Sequence, residues 1–284
     1  MPRRSSHVLG HLATGPLRGL RIGFIGAGTM GQALMKGLRA QGVPARRLRA
    51  ADPNPATRHR ARQSFHVSVT PDNVSVVRQS DVIVLAVKPQ QFPELLAQIG
   101  PHLASRQLVV SIAAGVTIRW LQSRLPRSAV IRVMPNLPAT ASCGFSAMAL
   151  GRRTTSHHRA IARQLFGAVG EVVELPERYF DAITAVSGSG PAYVFFLAHA
   201  WEEAARRLGL PSAIAARAVR QTLEGSTRLF QMSEEPALTL IKRVASKGGT
   251  TEAALRVLAR RHVAAHFLEA LRAAAHRSQQ LSWS

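Results

Sequence analysis

The spacing of apolar positions changes near the middle of the chain. Leu20 to Ile25, Leu48 to Ala51, Asp81 to Val87, Leu108 to Ile112 and Val130 to Met134 are short and almost wholly apolar. Such runs predict strands buried on both faces, as in a parallel sheet covered by helices. Helical spacing lies between them, at 30–41 and 56–64. A further strand pair is predicted around Gly144–Leu150 and Glu171–Leu175. After Phe180 the strand signal stops. Residues 191–208, 211–230, 236–244, 251–260 and 262–280 carry helical spacing, broken at Gly209-Leu210-Pro211 and Pro236. These helices are rich in Ala, Leu and Val around much of their circumference and need neighbours on several sides. The pattern predicts an α/β half followed by an all-α half that packs against another subunit.

Composition narrows the class. The 284 residues are 46% hydrophobic and 18% charged, as in a globular protein. Cys143 is the single cysteine, which excludes an internal disulfide and a multi-cysteine zinc site. No apolar run reaches the length of a membrane span, so no membrane partner is expected. The Arg-rich, acid-free start is compatible with a transit peptide, but residues 1–20 are read as a disordered extension and the compartment as the cytoplasm. The net charge is +22, and 33 of the 37 basic residues are Arg. Residues 1–165 hold 23 basic and 4 acidic side chains. The arginines are scattered, with no basic run longer than two, and aromatic residues make up only 5%. No stacking platform for nucleic acid is visible, so nucleic acid is not expected as a partner. Arg-rich codon usage is the plainer reading of the charge, and a field that attracts an anionic small molecule is the second.

Gly26-Ala27-Gly28-Thr29-Met30-Gly31 is a G-x-G-x-x-G motif between a predicted strand and a predicted helix. In that context Gly26 permits a tight turn, Gly28 lets a pyrophosphate approach the backbone, and Gly31 lets helix and strand pack closely. Free amides at the helix start face the phosphates. The motif makes the first half a Rossmann-like dinucleotide-binding domain over 21–178, leaving 179–284 as the all-α substrate and dimerisation domain. Asp52 ends the second strand, where an acid binds adenosine ribose hydroxyls, but it also opens an Asp-Pro-Asn-Pro turn. Arg58 and Arg60 are near enough to meet a 2′-phosphate, so NAD and NADP both stay open.

The second half lacks the lysine that many alcohol-oxidising relatives of this architecture use as a base: after Lys88 the next is Lys242. His199 sits among Phe195, Phe196 and Trp201 and reads as a packing residue. His262, His266 and His276 have no acidic companions at metal spacing beyond Glu269, so no metal site is expected. Two segments suit a small anion. Ser187-Gly188-Ser189-Gly190-Pro191 is an open glycine turn ahead of a helix-initiating proline, with free Ser and Gly amides expected at the positive end of a long helix. Ser246-Lys247-Gly248-Gly249-Thr250-Thr251-Glu252 is a glycine turn running into a helix, with amides for a carboxylate. Glycines and hydroxyls without a strong base suit hydride delivery to an electrophilic C=N bond.

At these residues the chain resembles the pyrroline-5-carboxylate reductases. The matching segments are GFIGAGTMGQAL (23–34), DVIVLAVKPQ (81–90), SIAAGV (111–116), RVMPNLPA (132–139), FDAITAVSGSGPAYVF (180–195), SKGGTTEAAL (246–255) and AAAHRSQQL (273–281). The resemblance implies NAD(P)H-dependent reduction of L-1-pyrroline-5-carboxylate to L-proline by a homodimer or higher homo-oligomer, with NADPH as donor or NADH in its place. By position it places the cofactor against Ile25, Gly26, Ala27, Gly28, Thr29, Met30, Gly31, Asn73, Ala86, Val87, Lys88, Pro89 and Asn136. It places the substrate against Ser187, Ser246, Gly248, Gly249 and Thr250. The glycine turn comes from the partner subunit in this family, and Thr251 is the catalytic hydroxyl at the ring nitrogen. Two positions depart from the family pattern: Lys247 replaces the usual Pro, and Ser142 the usual Gly. A β-hydroxyacid dehydrogenase or a related imine reductase is the alternative reading.

Overall fold

The computed structural model describes residues 15–283. In chain order the first part runs β1 (Ile22–Ile25), α1 (Thr29–Ala40), β2 (Leu48–Ala51), α2 (Pro55–Phe65), β3 (Ser68–Thr70), α3 (Asn73–Arg78), β4 (Val82–Leu85), α4 (Phe92–Ile99), β5 (Leu108–Ser111), α5 (Ile118–Arg124), β6 (Ala129–Met134), β7 (Gly144–Leu150), α6 (Ser156–Gly167) and β8 (Gly170–Glu174). Helices follow: α7 (Phe180–Ile183), α8 (Gly190–Arg207), α9 (Ser212–Met232), α10 (Ala237–Val244), α11 (Thr250–Arg260) and α12 (Val263–Leu281).

The strands form one sheet in the order β3-β2-β1-β4-β5-β6-β7-β8. Pairing is parallel from β3 through to β6, antiparallel between β6 and β7, and parallel again between β7 and β8. The pleat sorts each apolar run onto two faces. Phe24, Val82, Val84, Leu108 and Val110 join one core with Leu34, Leu38 and Phe166 from the helices. Ile25, Ile83, Leu85 and Val109 join the other with Phe92, Leu96 and Trp120. A sheet apolar on both faces is stable only when helices cover both, which is what α1 and α6 do on one side and α4 and α5 on the other. The helices α3 to α5, of six to eight residues, and the three-residue β3 carry too short a pattern to stand out in the sequence, whereas α6 is as long as α1 and is an element that the sequence reading does not include.

The division of the chain differs from the sequence expectation at three places. Residues 15–20 are ordered: Leu17 is buried in the first core, and its amide donates to Gln164 Oε1 at 2.9 Å. The expected disordered extension therefore does not include residues 15–20, and the rest of that expectation falls on residues 1–14, outside the described residues. The first compact unit continues to Gly188 rather than ending at 178. Phe180 is buried, with the Arg132 guanidinium 4.8 Å from its ring centroid, and this anchors the segment. Arg132 is itself buried and donates to Glu177 Oε1 at 2.8 Å. Finally, the chain from Ala275 onward belongs to the first unit, not the helical one. Ser278 donates to Asp181 Oδ1, the Trp283 amide donates to Gly115 O, and Trp283 meets Trp120 edge-on at 4.7 Å. Gly115 must be glycine here: its φ is +76°, and a Cβ would fall 2.5 Å from Leu281 O.

The second unit, Ser189–Ala274, is built differently. Its buried apolar side chains are Ala205, Ala215 and Val219 alone among the described residues. Nineteen of the twenty-three large hydrophobic side chains exposed among the described residues belong to it, including Phe196 at 74%, Met232 at 81% and Leu208 at 85%. A helical unit with so small a core does not hold together in water by itself.

Ser142 ends the short turn after β6 with φ +59°, in the left-handed region. A side chain there costs about 1–2 kcal/mol relative to glycine. Ser142→Gly should therefore stabilise the protein by about 1 kcal/mol, read as a rise in melting temperature of about 2 °C. A lower melting temperature for the glycine variant would show that the serine hydroxyl outweighs the backbone cost.

Candidate active site

The connection from β1 to α1 separates what the fold needs from what a ligand needs. Gly26 has φ +99°, and a Cβ on it would lie 2.6 Å from the carbonyl oxygen of Ala86. A Cβ on Gly31 would lie 2.6 Å from Gly26 O. Both glycines are demanded by backbone packing. Gly28 is different, because a Cβ there would meet nothing within 4 Å. Its glycine leaves open space in front of the loop.

Helix capping points the same way. Asn54 caps α2 by accepting the Ala56 and Thr57 amides, and Asp72 caps α3 by accepting those of Val74 and Ser75. α1 begins on Gly28 with no side-chain cap. The amides of Thr29 and Met30 therefore face open space at the positive end of a 12-residue helix. Uncapped amides and an empty approach fit a pyrophosphate. The Gln32 side chain donates to Ala27 O at 2.7 Å and braces the loop. Nothing in the motif signals that contact.

The neighbouring strand ends frame this seat. Ala86 donates to Ile25 O at 2.7 Å, joining the end of β4 to β1. Val87 packs on the second core, the Lys88 amide donates to Gln91 Oε1, and Pro89 opens a short 3-10 turn with the Lys88 side chain exposed. On the other side Asp52 follows β2. Its Oδ2 accepts the Ala27 amide at 2.9 Å, and its Oδ1 accepts the Asn54 amide at 2.9 Å. Asn73, on the first turn of α3, donates to Gln98 Oε1 at 2.9 Å. Asn136 follows β6; its Oδ1 accepts the Phe145 amide at 2.9 Å, and its Nδ2 donates to Ser187 Oγ at 3.1 Å. The residue assigned to the cofactor and one assigned to the substrate are thus hydrogen-bonded to each other.

Ser187 does not lie in an open glycine turn. Thr184–Gly188 winds as a π-helical turn between α7 and α8, and Thr184 Oγ1 donates to Phe180 O at 2.7 Å. The free amides expected ahead of Pro191 are replaced by this helical path, and what Ser187 offers is its hydroxyl. Sequence reasoning could not see this, because glycine permits a π turn as readily as an open one.

In the second unit Gly249 N donates to Ser246 O at 3.0 Å, closing a four-residue turn with Gly248 at φ +75°. Glu252 reaches back to accept the Gly248 amide. Two of the amides expected to hold a carboxylate are therefore engaged internally. Those of Thr250 and Thr251, in the first turn of α11, have no acceptor among the described residues. α11 begins on Gly249, again with no side-chain cap. Thr251 is the second helical residue, so its hydroxyl does not cap the helix; it is half-buried and has no hydrogen-bond partner among the described residues. Among the described residues no group of three or more His, Cys, Asp or Glu is placed to hold a metal ion, and no helix is long and apolar enough to cross a membrane.

Residues 177–281 match the family model for pyrroline-5-carboxylate reductase dimerisation. Residues 21–115 match the model for NADP oxidoreductase, coenzyme F420-dependent. The chain is 42% identical to the pyrroline-5-carboxylate reductase of Pseudomonas aeruginosa, over 92% of this chain and 97% of that one. Its fold is similar to that of the Coxiella burnetii pyrroline-5-carboxylate reductase, with a TM-score of 0.87 at 33% identity, covering 93% of this chain and 99% of the other. The Plasmodium falciparum pyrroline carboxylate reductase with NADP bound superposes with a TM-score of 0.84 at 27% identity, covering 93% and 99%. The chain belongs to the pyrroline-5-carboxylate reductase family.

Proposed function

We propose that the chain reduces L-1-pyrroline-5-carboxylate to L-proline, the last step of proline biosynthesis, with NADPH, or NADH in its place, as hydride donor. The observation that carries this reading is the start of α11, where two amides and a threonine hydroxyl, none with a partner among the described residues, lie side by side while the neighbouring Glu252 carboxylate is taken by the Gly248 amide. The substrate is a cyclic imine bearing a carboxylate. It needs a seat for the anion and a hydrogen bond at nitrogen, and nothing that removes a proton from carbon. When bound, the dihydronicotinamide supplies the hydride to the C=N carbon. The amides of Thr250 and Thr251 hold the carboxylate, and Ser246 and Gly248 shape the turn that presents them. The Thr251 hydroxyl donates a hydrogen bond to the ring nitrogen as the π pair moves onto it, and the proton that completes the amine comes from solvent water. Ser187, fixed by Asn136, borders both cofactor and substrate. Alcohol oxidation by a β-hydroxyacid dehydrogenase is disfavoured because α8 contains no lysine.

The turn and α11 act in a homodimer or larger homo-oligomer. The exposed apolar side chains of Ser189–Ala274 support this, as do those lining a groove of about 960 Å³ that includes Tyr193, Phe196, Leu258, Val263 and Phe267. A second copy is the cover we assign to them. The cytoplasm is the compartment we assign, since the lone Cys143 calls for no oxidising one. The scattered arginines serve a small anionic substrate rather than nucleic acid.

Gly28→Val should fold normally, since its Cβ enters open space, and should lose NADPH binding because the side chain fills the pyrophosphate seat. Wild-type affinity in the folded variant would reduce the glycine loop to a turn. Thr251→Val should lower kcat/KM about 10–1000-fold, or about 1.4–4 kcal/mol, with little change in melting temperature or NADPH affinity. Thr251→Ser should keep much of the activity. A fully active valine variant would end the catalytic assignment of Thr251. Light scattering at micromolar concentration should show a dimer or larger species, and a well-behaved monomer would contradict the proposed assembly.

A further inference from the structure

An acidic side chain stands against the glycine loop. β2 lies beside β1 with Ala51 opposite Ile25, so Asp52 emerges directly next to Gly26 and Ala27. Its two oxygens accept the amides of Ala27 and Asn54, which fixes the carboxylate in place. Each oxygen retains a lone pair, and the residue is partly exposed. A dinucleotide whose pyrophosphate rests before Gly28 runs its adenosine ribose past the residue that grips Ala27. A ribose 2′-hydroxyl can donate to that carboxylate. A 2′-phosphate brings a charge of about −1.5 to −2 to the same place.

Two of the nearby cations are turned to other work, and two stand at the glycine loop rather than at Asp52. Arg58 Nη1 donates to the carbonyls of Asp52 and Pro53 at 2.9 and 2.7 Å. Arg62 Nη2 donates to Val69 O at 2.9 Å. Arg60 and Lys36 line a cavity of about 460 Å³ with Gly28 and Thr140, and Asp52 is not part of that lining. The excess positive charge of the chain draws the more highly charged NADPH somewhat more strongly, but scattered exposed charges are screened within about 8–10 Å, so the choice is made by the groups next to the ribose.

We propose that Asp52 sets the choice of reductant, so that this enzyme binds NADH more tightly than NADPH. The carboxylate accepts the 2′-hydroxyl of NADH and repels the 2′-phosphate of NADPH. The proposal rests on the reading of the chain as an NAD(P)H-dependent reductase, and it orders the two donors within that reading. Asp52 is a specificity residue rather than a catalytic one, since it faces the end of the cofactor remote from the hydride.

The test is binding of NADH and NADPH to the full chain by calorimetry, without imine, for the wild type, Asp52→Asn and Asp52→Ser. Wild-type Kd should be about tenfold lower for NADH, a difference of about 1.4 kcal/mol. Both variants should shift the ratio toward NADPH by about tenfold or more, chiefly by tightening NADPH. Competition of bound NADH by 5′-AMP and by adenosine 2′,5′-bisphosphate gives the same comparison on the wild type alone, should a variant fail to fold. The bisphosphate should compete about tenfold less well. A wild type that binds NADPH as tightly as NADH or more tightly overturns the proposal and leaves the reductase reading intact. So does an unchanged ratio in folded variants. A wild type that binds neither nucleotide overturns both.

Discussion

Two backbone approaches at the end of β1 determine most of what this site can be. The Ala86 carbonyl presses on Gly26, and the Gly26 carbonyl presses on Gly31, each leaving 2.6 Å where a Cβ would go. A side chain at either position would push β4 away from β1 or lift α1 off the loop. With glycine in both places, α1 starts immediately at the strand end, and its first amides point past Gly28 into open space. The same closeness brings the ends of β2 and β4 to the loop, with Asp52 on one side and Ala86 to Pro89 on the other. The proposed phosphate seat is therefore a consequence of tight packing rather than a separate feature added to the fold.

The two units are stabilised on different terms. The first has a sheet buried on both faces, and its strands contribute alternate residues to two cores. The second has longer helices, up to 21 residues, but three small or medium apolar side chains inside among the described residues. Its hydrophobic surface faces outward, so the free energy of ordering its helices has to come from association. That arrangement ties the glycine turn before α11 to assembly: the residues proposed to hold the substrate are carried by the part of the chain that depends most on a partner.

Much of this was legible in the sequence because the signals were periodic or obligatory. Doubly buried strands, long apolar helices and a glycine motif between strand and helix leave few alternatives. The structure departs from the sequence reading where geometry is set by contacts across long separations. Leu17 orders the chain before residue 21 by meeting Gln164. The antiparallel β7 follows β6 through a turn whose hand is fixed by Ser142 rather than by a recognisable glycine. The sequence offers the amides of Gly248 and Gly249 as free, yet Glu252 and Ser246 take them. Ser187 stands in the sequence as part of an open glycine turn, yet a π turn and Asn136 claim it. In each case a local string of residues admits two structures, and a distant side chain or the next turn of helix decides.

The return of the chain's end to the first unit has a consequence for the order of folding. Val116 pairs with Trp283, and the Thr117 hydroxyl donates to the Trp283 carbonyl, contacts that span more than half the sequence. During synthesis the nucleotide-binding sheet is available for folding once Gly188 has left the ribosome, but the surface around Gly115 and Trp120 stays uncovered until the helical unit has also been made. Domains usually fold as they emerge, the N-terminal one first. Here the first domain to appear is the last to be finished, and the nascent chain carries an open aromatic patch through the interval in which its helices are still looking for a second copy.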